Sequence, residues 1–301
     1  MTAGFASAEV TLSGSTDSGL SFGAKIDLDE AALTNDANET VWISGAFGTI
    51  TMGDTDSAID FVNAEAAQGV ILADDFTVLD AGFQNYLDEA TDDTVARWNY
   101  SVNNLTLAAS AEIGTNAASG NNSYSVGASY KMAISGGSLT LGGGYQSHEG
   151  RLSYRASSAF SSAEGAEVDN TTAIEDSSVV GVSAALKLDS GLGLTATYAA
   201  VDNYSATDAT VLTAAGTTTV GALNDAKVMS IGADYTVGDL TVGASYAKLN
   251  SDNNDEDLKS YGLGASYALG TGARAFGAMK SEKVGNKAAT EQYQIGMAFS
   301  F

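Results

Sequence analysis

The chain ends in EQYQIGMAFSF, residues 291–301, where apolar and polar side chains alternate up to the last position. The apolar members of this stretch are Tyr293, Ile295, Met297, Phe299 and Phe301. A period of two is typical of a β-strand whose two faces meet different surroundings. A soluble strand with one buried face could show the same alternation, so the rest of the chain must decide what surrounds this strand.

The same alternation recurs along the whole chain and predicts fourteen strands. In TVARWNYSV, residues 94–102, the side chains of Trp98, Tyr100 and Val102 lie on one face and Arg97 lies on the other. The fourteen predicted strands lie near 18–29, 40–45, 48–54, 94–102, 105–113, 122–133, 138–148, 176–189, 192–202, 225–237, 239–249, 258–269, 273–282 and 290–301.

The connections between these strands alternate strictly between short turns and long loops. The long loops lie near 30–39, 55–93, 114–121, 149–175, 203–224, 250–257 and 283–289. An up-and-down barrel with its two ends in different compartments explains this order, whereas a Greek-key sandwich does not. Fourteen strands also enclose a space too wide for side chains to fill. The sequence therefore predicts an all-β transmembrane antiparallel barrel with a polar, water-filled lumen and an apolar outer face.

Composition narrows the possible functions. The 301 residues include no proline and no cysteine, which suits hydrogen-bonded strands and excludes disulfides and cysteine-based metal sites. The formal net charge of −24 opposes nucleic-acid binding and favours a surface or cavity that attracts cations. His148 is the only histidine and no serine lies in a G-x-S-x-G elbow, so we predict that the chain is not an enzyme.

The first residues resemble the end of a secretory leader. MTAGFASAEV contains Ala6, Ser7 and Ala8, the small-x-small pattern of a signal-peptidase site, directly before Glu9. We therefore expect residues 1–8 to be a signal-peptide remnant and residues 9–301 to be the barrel domain. An ordinary alanine-rich N-terminus is the alternative.

Three stretches resemble the trimeric general diffusion porins of Gram-negative bacteria, in particular the alphaproteobacterial type. They are SGSTDSGLSFGAKI, TVWISGAFGTITMGD and the terminal GMAFSF. The resemblance implies a 16-stranded barrel in the outer membrane, a third extracellular loop that folds into the pore, and a homotrimer. The terminal phenylalanine resembles the family's signal for assembly into the outer membrane.

The start of the chain departs from that family pattern. EVTLSG, residues 9–14, continues directly into STDSG, so we expect the family's first strand and most of its second to be lacking. Counting from 18–29 gives an even number of strands, and a further strand at EVTLSG would make fifteen. Bacterial barrels of this kind have even counts. We therefore expect either a fourteen-stranded closure or a barrel with an imperfect seam.

The loop at 55–93 is the predicted pore constriction, because it is acidic and also contains apolar residues that could pack on a barrel wall. A charged ring at a narrow opening selects ions by sign. A solvated acidic surface loop is the alternative. The predicted acidic residues are Asp54, Asp56, Asp60, Glu65, Asp74, Asp75, Asp80, Asp88 and Glu89.

Basic residues on the polar face are the predicted opposite wall of the pore. Lys25, Arg97 and Lys131 are the candidates, although each could instead pair with a carboxylate of the barrel wall. The scarcity of basic residues predicts a pore that prefers cations.

The remaining predictions concern metal and function. The run SDNNDEDLK offers candidate calcium ligands at Asp252, Asp255, Glu256 and Asp257, but the pattern favours a hydrated loop and no cofactor is required. The leading function is passive diffusion of ions and small hydrophilic solutes across the outer membrane. The alternative is a structural or adhesin-type surface barrel with a plugged lumen.

Overall fold

The computed structural model of the chain describes residues 9–27, 39–64, 94–112, 122–148, 152–153, 177–205, 224–251, 257–286 and 288–299. One antiparallel sheet contains nearly all of them, and each strand hydrogen-bonds to the next along the chain. The strands are β1 (Glu9–Ser15), β2 (Ser21–Asp27), β3 (Glu39–Gly45), β4 (Gly48–Gly53), β5 (Val95–Val102), β6 (Leu105–Glu112), β7 (Ser123–Ile134), β8 (Gly137–His148), β9 (Leu152–Ser153), β10 (Ser177–Leu188), β11 (Leu192–Ser205), β12 (Asn224–Val237), β13 (Leu240–Ser251), β14 (Leu258–Gly270), β15 (Ala273–Val284) and β16 (Thr290–Phe299).

All fourteen predicted strands are present, and β1 is an additional strand. EVTLSGS pairs with β2 residue by residue, from Glu9 opposite Asp27 to Ser15 opposite Ser21. A tight turn joins the two strands, because the Thr16 amide donates to the carbonyl of Leu20 at 2.8 Å. The main path therefore contains fifteen strands, while the two-residue β9 pairs in parallel with β11 outside this path.

The sheet is open between its first and last strands. Because fifteen antiparallel strands contain an even number of reversals, β1 and β16 run in the same direction. Within the described residues, no ladder joins these two strands. The structure thus agrees with the second of the two expectations, a barrel with an imperfect seam, and not with a fourteen-stranded closure.

The two ends of the sheet differ in the length of their connections. Short turns such as Asn103–Asn104 and Gly238–Asp239 join strands at one end, which we call the short-turn end. Asn103 and Gly238 both have positive φ, as tight hairpins require. The opposite end, the long-loop end, carries every longer connection, including the one between β4 and β5.

The faces of the sheet have the polarity expected of a membrane barrel. On β7, Tyr124, Val126 and Tyr130 are exposed, whereas Ser123 and Ser125 on the other face are buried. On β16, Ile295 is 90% exposed. We call the apolar face the outer face and the polar face the inner face. An apolar surface of this extent is stable only against lipid or another protein.

Aromatic residues on the outer face lie near both ends of the strands. Tyr124 and Tyr130 on β7, and Tyr261 and Tyr267 on β14, are each six positions apart and exposed. At 3.3 Å per residue, each pair is about 20 Å apart along its strand. Tyrosine favours interfaces where one end of the ring is apolar and the other is wet. The exposed tyrosines near the two ends of the strands therefore mark the two boundaries of an apolar zone on the outer face.

Among the described residues, no helix combines the length and apolar character needed to cross a bilayer.

The inner face changes from buried to exposed along the strands. Near the long-loop end, Val179, Val228 and Leu249 are at most 1% exposed. Near the short-turn end, Lys131 and Thr236 of the same face are exposed. The inner face is therefore covered towards the long loops and accessible towards the short turns.

Candidate pore constriction

The chain turns into the interior directly after β4 and forms one short helix, α1 (Ala58–Val62). Ala58, Ile59 and Val62 are buried, and their spacing places them together on one side of a helical turn. A helix of five residues is not stable by itself and depends on its packing partners. Its partners are the inner faces of β5 to β8.

Glycines on β7 and β8 form the groove that receives α1. A Cβ on Gly142 would lie 2.3 Å from the carbonyl oxygen of Val62, and one on Gly144 would lie 2.9 Å from Cγ1 of Ile59. A Cβ on Gly127 would meet Cγ2 of Val62 at 2.5 Å. Glycine in a strand often marks the close approach of another segment. At these three positions the wall has no side chain, so the segment can lie close to the strand backbone.

Three serine hydroxyls of the wall accept hydrogen bonds from the backbone of the inserted segment. The amide of Ala58 donates to Ser110 Oγ, and the amide of Ile59 donates to Ser125 Oγ, both at 2.9 Å. The amide of Ala64 donates to Ser183 Oγ on β10, also at 2.9 Å. The first amides of a helix have no partner inside it, so Ser110 and Ser125 satisfy groups that would otherwise be buried without a bond, and Ser183 holds the chain beyond the end of α1.

Arg97 holds the start of the inserted segment to β5. Its Nη1 donates to the carbonyl of Asp56 at 2.7 Å and lies 3.3 Å from Asp56 Oδ2. The guanidinium also lies 4.1 Å from the centre of the Phe61 ring. The Arg97 side chain is only 9% exposed. Because these groups surround it, Arg97 fixes the segment in place.

Three of the predicted acidic residues belong to the described part of this segment. Asp54 follows β4, and its amide donates to the carbonyl of Glu39 at 3.0 Å. Asp56 is half-exposed beside Arg97, and Asp60 is buried on α1. The predictions that fall outside the described residues are Glu65, Asp74, Asp75, Asp80, Asp88 and Glu89.

The predicted basic residues all lie on the inner face, at different heights. Lys25 on β2 and Lys131 on β7 are exposed to the interior. Arg97 is buried against the inserted segment. The structure therefore brings Arg97 and Asp56 together, and it leaves Lys131 near the short-turn end, away from α1.

The calcium prediction is largely outside the described residues. Asp252, Asp255 and Glu256 lie in the undescribed range, and Asp257 accepts a backbone hydrogen bond from Gly285 at 2.6 Å. Within the part of the chain that the structure describes, no three histidine or carboxylate side chains are grouped so as to hold a metal ion.

Sequence reasoning missed α1, its glycine groove and its serine partners. A signal was present, since Gly142 and Gly144 fall on the polar face of one strand, where a helix can approach closely. It also missed an inner-face ion pair on β15, in which Lys280 Nζ lies 3.5 Å from Glu282 Oε2. Lys280 is 2% exposed, so this pair belongs to the covered part of the wall.

Comparison with known proteins gives three kinds of match. The family model for Gram-negative porins matches residues 1–287. A porin of Rhodobacter capsulatus is 39% identical over 113 residues, and the match spans about a third of each protein, 35% of this chain and 36% of the relative. A porin structure refined at 1.8 Å resolution is 27% identical and covers 98% of this chain and 92% of its own, with a TM-score of 0.71.

Two further solved structures support the fold alone. A variant of the Rh. blastica porin is 19% identical, with a TM-score of 0.59, and covers 97% of this chain and 89% of its own. A loop-deletion variant of an outer membrane protein of Vibrio cholerae is 16% identical, with a TM-score of 0.62 and the same coverage.

Proposed function

The chain belongs to the Gram-negative porin family of the bacterial outer membrane, and from this premise we propose that it is a channel for the passive diffusion of ions and small hydrophilic solutes. The observation that carries the proposal is α1, which lies on the inner wall and narrows the lumen from one side. The proposed transport needs no cofactor and no catalytic step.

A preference for cations is the finer part of the proposal. The chain has 37 acidic and 13 basic residues. The inserted segment contributes Asp56 to the interior, and the guanidinium of Arg97 is occupied by that carboxylate. We extend the proposal to the rest of the acidic segment, including Asp74 and Asp75, as the remainder of the constriction. Carboxylates at a narrow opening focus a field that attracts cations.

Liposome swelling tests the channel itself. Vesicles that contain the folded protein should swell in isotonic solutions of small sugars, and the rate should fall as the sugar becomes larger. A folded protein that gives no swelling would favour the alternative, a surface barrel with a plugged lumen. The burial of inner-face residues towards the long loops is the observation that favours this alternative.

Reversal potentials test the cation preference. Asp74→Asn with Asp75→Asn should shift the reversal potential in a salt gradient towards zero, because two carboxylates leave the proposed constriction. Asp189→Asn with Asp239→Asn is the matched control, since it removes the same charge from exposed short turns. Equal reversal potentials in both variants would remove Asp74 and Asp75 from the selectivity mechanism.

We also propose that the protein acts as a homotrimer in the bilayer. The exposed apolar outer face of β1 to β4, which includes Leu12, Phe22 and Val41, can be covered by lipid or by another subunit. Cross-linking in intact membranes measures the number of subunits, and a monomeric product alone would contradict this part of the proposal.

A further inference from the structure

Four lysines form a compact row on the outer face near the long-loop end. Lys248 on β13 is directly opposite Lys259 on β14, and Lys259 is directly opposite Lys283 on β15. Lys227 on β12 pairs with Asn250, two positions from Lys248, and is therefore its diagonal neighbour. We call these four residues the lysine row.

The lysine row is distinct from the other basic residues. In the described strands, every other lysine or arginine lies on the inner face. Those inner-face residues are Lys25, Arg97, Lys131, Lys187, Arg274 and Lys280. The protein therefore places all outward-facing positive charge of its described strands in one row, although its net charge is −24.

Repulsion between the like charges of the lysine row destabilises the protein, and a bound anion would reduce this repulsion. Side chains directly opposite each other on neighbouring strands have Cβ atoms about 5 Å apart, and like charges at that distance are destabilising. Among the described residues, the nearest carboxylates of the same face are Asp202, Asp225, Asp257 and Glu291. Asp202 accepts a hydrogen bond from Ser178 Oγ at 3.3 Å, and Glu291 accepts one from Tyr293 Oη at 2.6 Å. Three consecutive lysines in register thus remain side by side with no carboxylate between them.

The depth of the row indicates the source of the anion. Tyr246 and Tyr261 lie two positions closer to the middle of the strands, directly opposite each other, with ring centroids 5.0 Å apart. Tyrosines at a membrane interface sit at the level of the headgroups. Apolar outer-face residues such as Leu263 follow immediately below. The lysine row therefore lies at the height of lipid phosphates.

We propose that the lysine row is a binding site for the phosphorylated headgroup of a lipid in the outer leaflet of the membrane. The acyl chains lie along the exposed apolar face of β13 to β15, and the phosphate accepts charge-assisted hydrogen bonds from Lys248, Lys259 and Lys283. Lysine is a strong phosphate ligand as a compact positive charge. The site lies outside the lumen, so it is independent of solute passage.

The test compares retention of a phosphorylated lipid by variants in lipid nanodiscs. The triple variant Lys248→Gln, Lys259→Gln, Lys283→Gln is incorporated into phosphatidylcholine nanodiscs doped with lipid A, and co-purified lipid A is counted by native mass spectrometry. Because three cations that attract an anionic headgroup are removed, we expect retention to fall roughly tenfold or more. Unchanged single-channel conductance would show that the variant is folded.

A matched control separates the row from net charge. Lys131→Gln, Lys187→Gln and Arg274→Gln remove three positive charges from the inner face and should leave lipid A retention at the level of the original protein. Equal retention by both triple variants would overturn the proposal.

A second arm separates the lipid from a free anion. In detergent, added lipid A should raise the thermal unfolding midpoint of the original protein more than that of the lysine-row variant. Inorganic phosphate alone should produce no such difference between the two proteins. If inorganic phosphate raises the midpoint of the original protein as much as lipid A does, the row is a general anion site and the lipid assignment is wrong.

Discussion

Arg97 combines three contacts that no other described residue makes with the inserted segment: an ion pair, a backbone hydrogen bond and a cation–π contact. The buried guanidinium keeps its backbone hydrogen bond and its contact with Phe61 away from water, whereas the Asp56 carboxylate of the ion pair is half-exposed. The residue therefore acts on the pore indirectly, by determining where Asp56 and Phe61 lie.

Replacing Arg97 should release the start of the segment. For Arg97→Ala we expect the free energy of unfolding to fall by about 2–4 kcal/mol, as expected for a buried charge-assisted hydrogen bond together with a cation–π contact. We also expect noisier open-channel current, because the segment gains freedom. Urea unfolding in vesicles measures the stability, and single-channel recording measures the current noise.

Lys131→Ala is the control, because it removes an exposed cation of the same face, and it should change neither stability nor noise. An Arg97→Ala variant with wild-type stability and quiet current would contradict this role of Arg97.

Gly142 sets the distance between α1 and the wall. Gly142→Ala would place a Cβ 2.3 Å from the Val62 carbonyl oxygen and 2.7 Å from Ser183 Oγ, so α1 must move into the lumen. We expect a loss of ~1–3 kcal/mol in stability, as for an overpacked core, and a lower single-channel conductance.

The adjacent glycine provides the control for this substitution. Gly143 faces outward, and a Cβ there would meet its nearest atom, Val182 Cγ1, at 3.4 Å. Gly143→Ala should conduct like the original protein. If both variants have the same conductance, contact with α1 is not what requires glycine at position 142.

At the scale of the element, α1 depends on hydroxyls of the wall more than on its own residues. Its N-cap residue Ser57 makes no side-chain capping bond, and the amides that begin the helix bind Ser110 and Ser125 instead. A five-residue helix whose first amides bind hydroxyls of neighbouring strands can form only after those strands are in register.

Ser125→Ala should therefore weaken α1 without weakening β7. The buried amide of Ile59 would lose its acceptor, at a cost of roughly 1–3 kcal/mol. Hydrogen exchange should increase at Ile59 and remain slow in the ladder of β7 with β8. Ser129→Ala, on the same face nearer the short-turn end, is the comparison; faster exchange in both variants would indicate general destabilisation of the strand.

The strands could be predicted from the sequence, because their alternation is a local property of each segment. β1 was harder, since seven residues run straight into the turn at Thr16, and only Val10 and Leu12 carry the period. The pairing of Arg97 with Asp56 was not predictable, because 41 residues separate them and only the tertiary fold brings them together. The glycines of the groove gave a signal, but their partner, α1, had not been predicted.

At the scale of the whole molecule, the strand count determines how the sheet can close. Since β1 and β16 run in the same direction, an antiparallel ladder cannot join them directly. Relatives of this kind have even counts, for which the first and last strands are antiparallel. Among the described strands, the odd count thus leaves one edge of β1 and one edge of β16 without a ladder partner.

The absence of cysteine makes the seam directly measurable. Leu12→Cys with Ala24→Cys joins residues that are opposite each other in the β1–β2 ladder and should form a disulfide on oxidation. Leu12→Cys with Ile295→Cys spans the seam and should remain reduced, because a disulfide requires Cα atoms within about 7 Å. A high yield of the second disulfide would show that the sheet closes without a further strand.

The edges of β1 and β16 that have no ladder partner among the described residues have a consequence for folding equilibria. A backbone group with no hydrogen-bond partner in hydrocarbon costs several kcal/mol, and β1 alone presents seven residues along its edge. Any neighbour that covers this edge lowers the free energy of the native state alone, so folding and association are linked by mass action. The unfolding midpoint in vesicles should consequently rise with the number of protein molecules per lipid, and a midpoint that does not depend on this number would contradict the linkage.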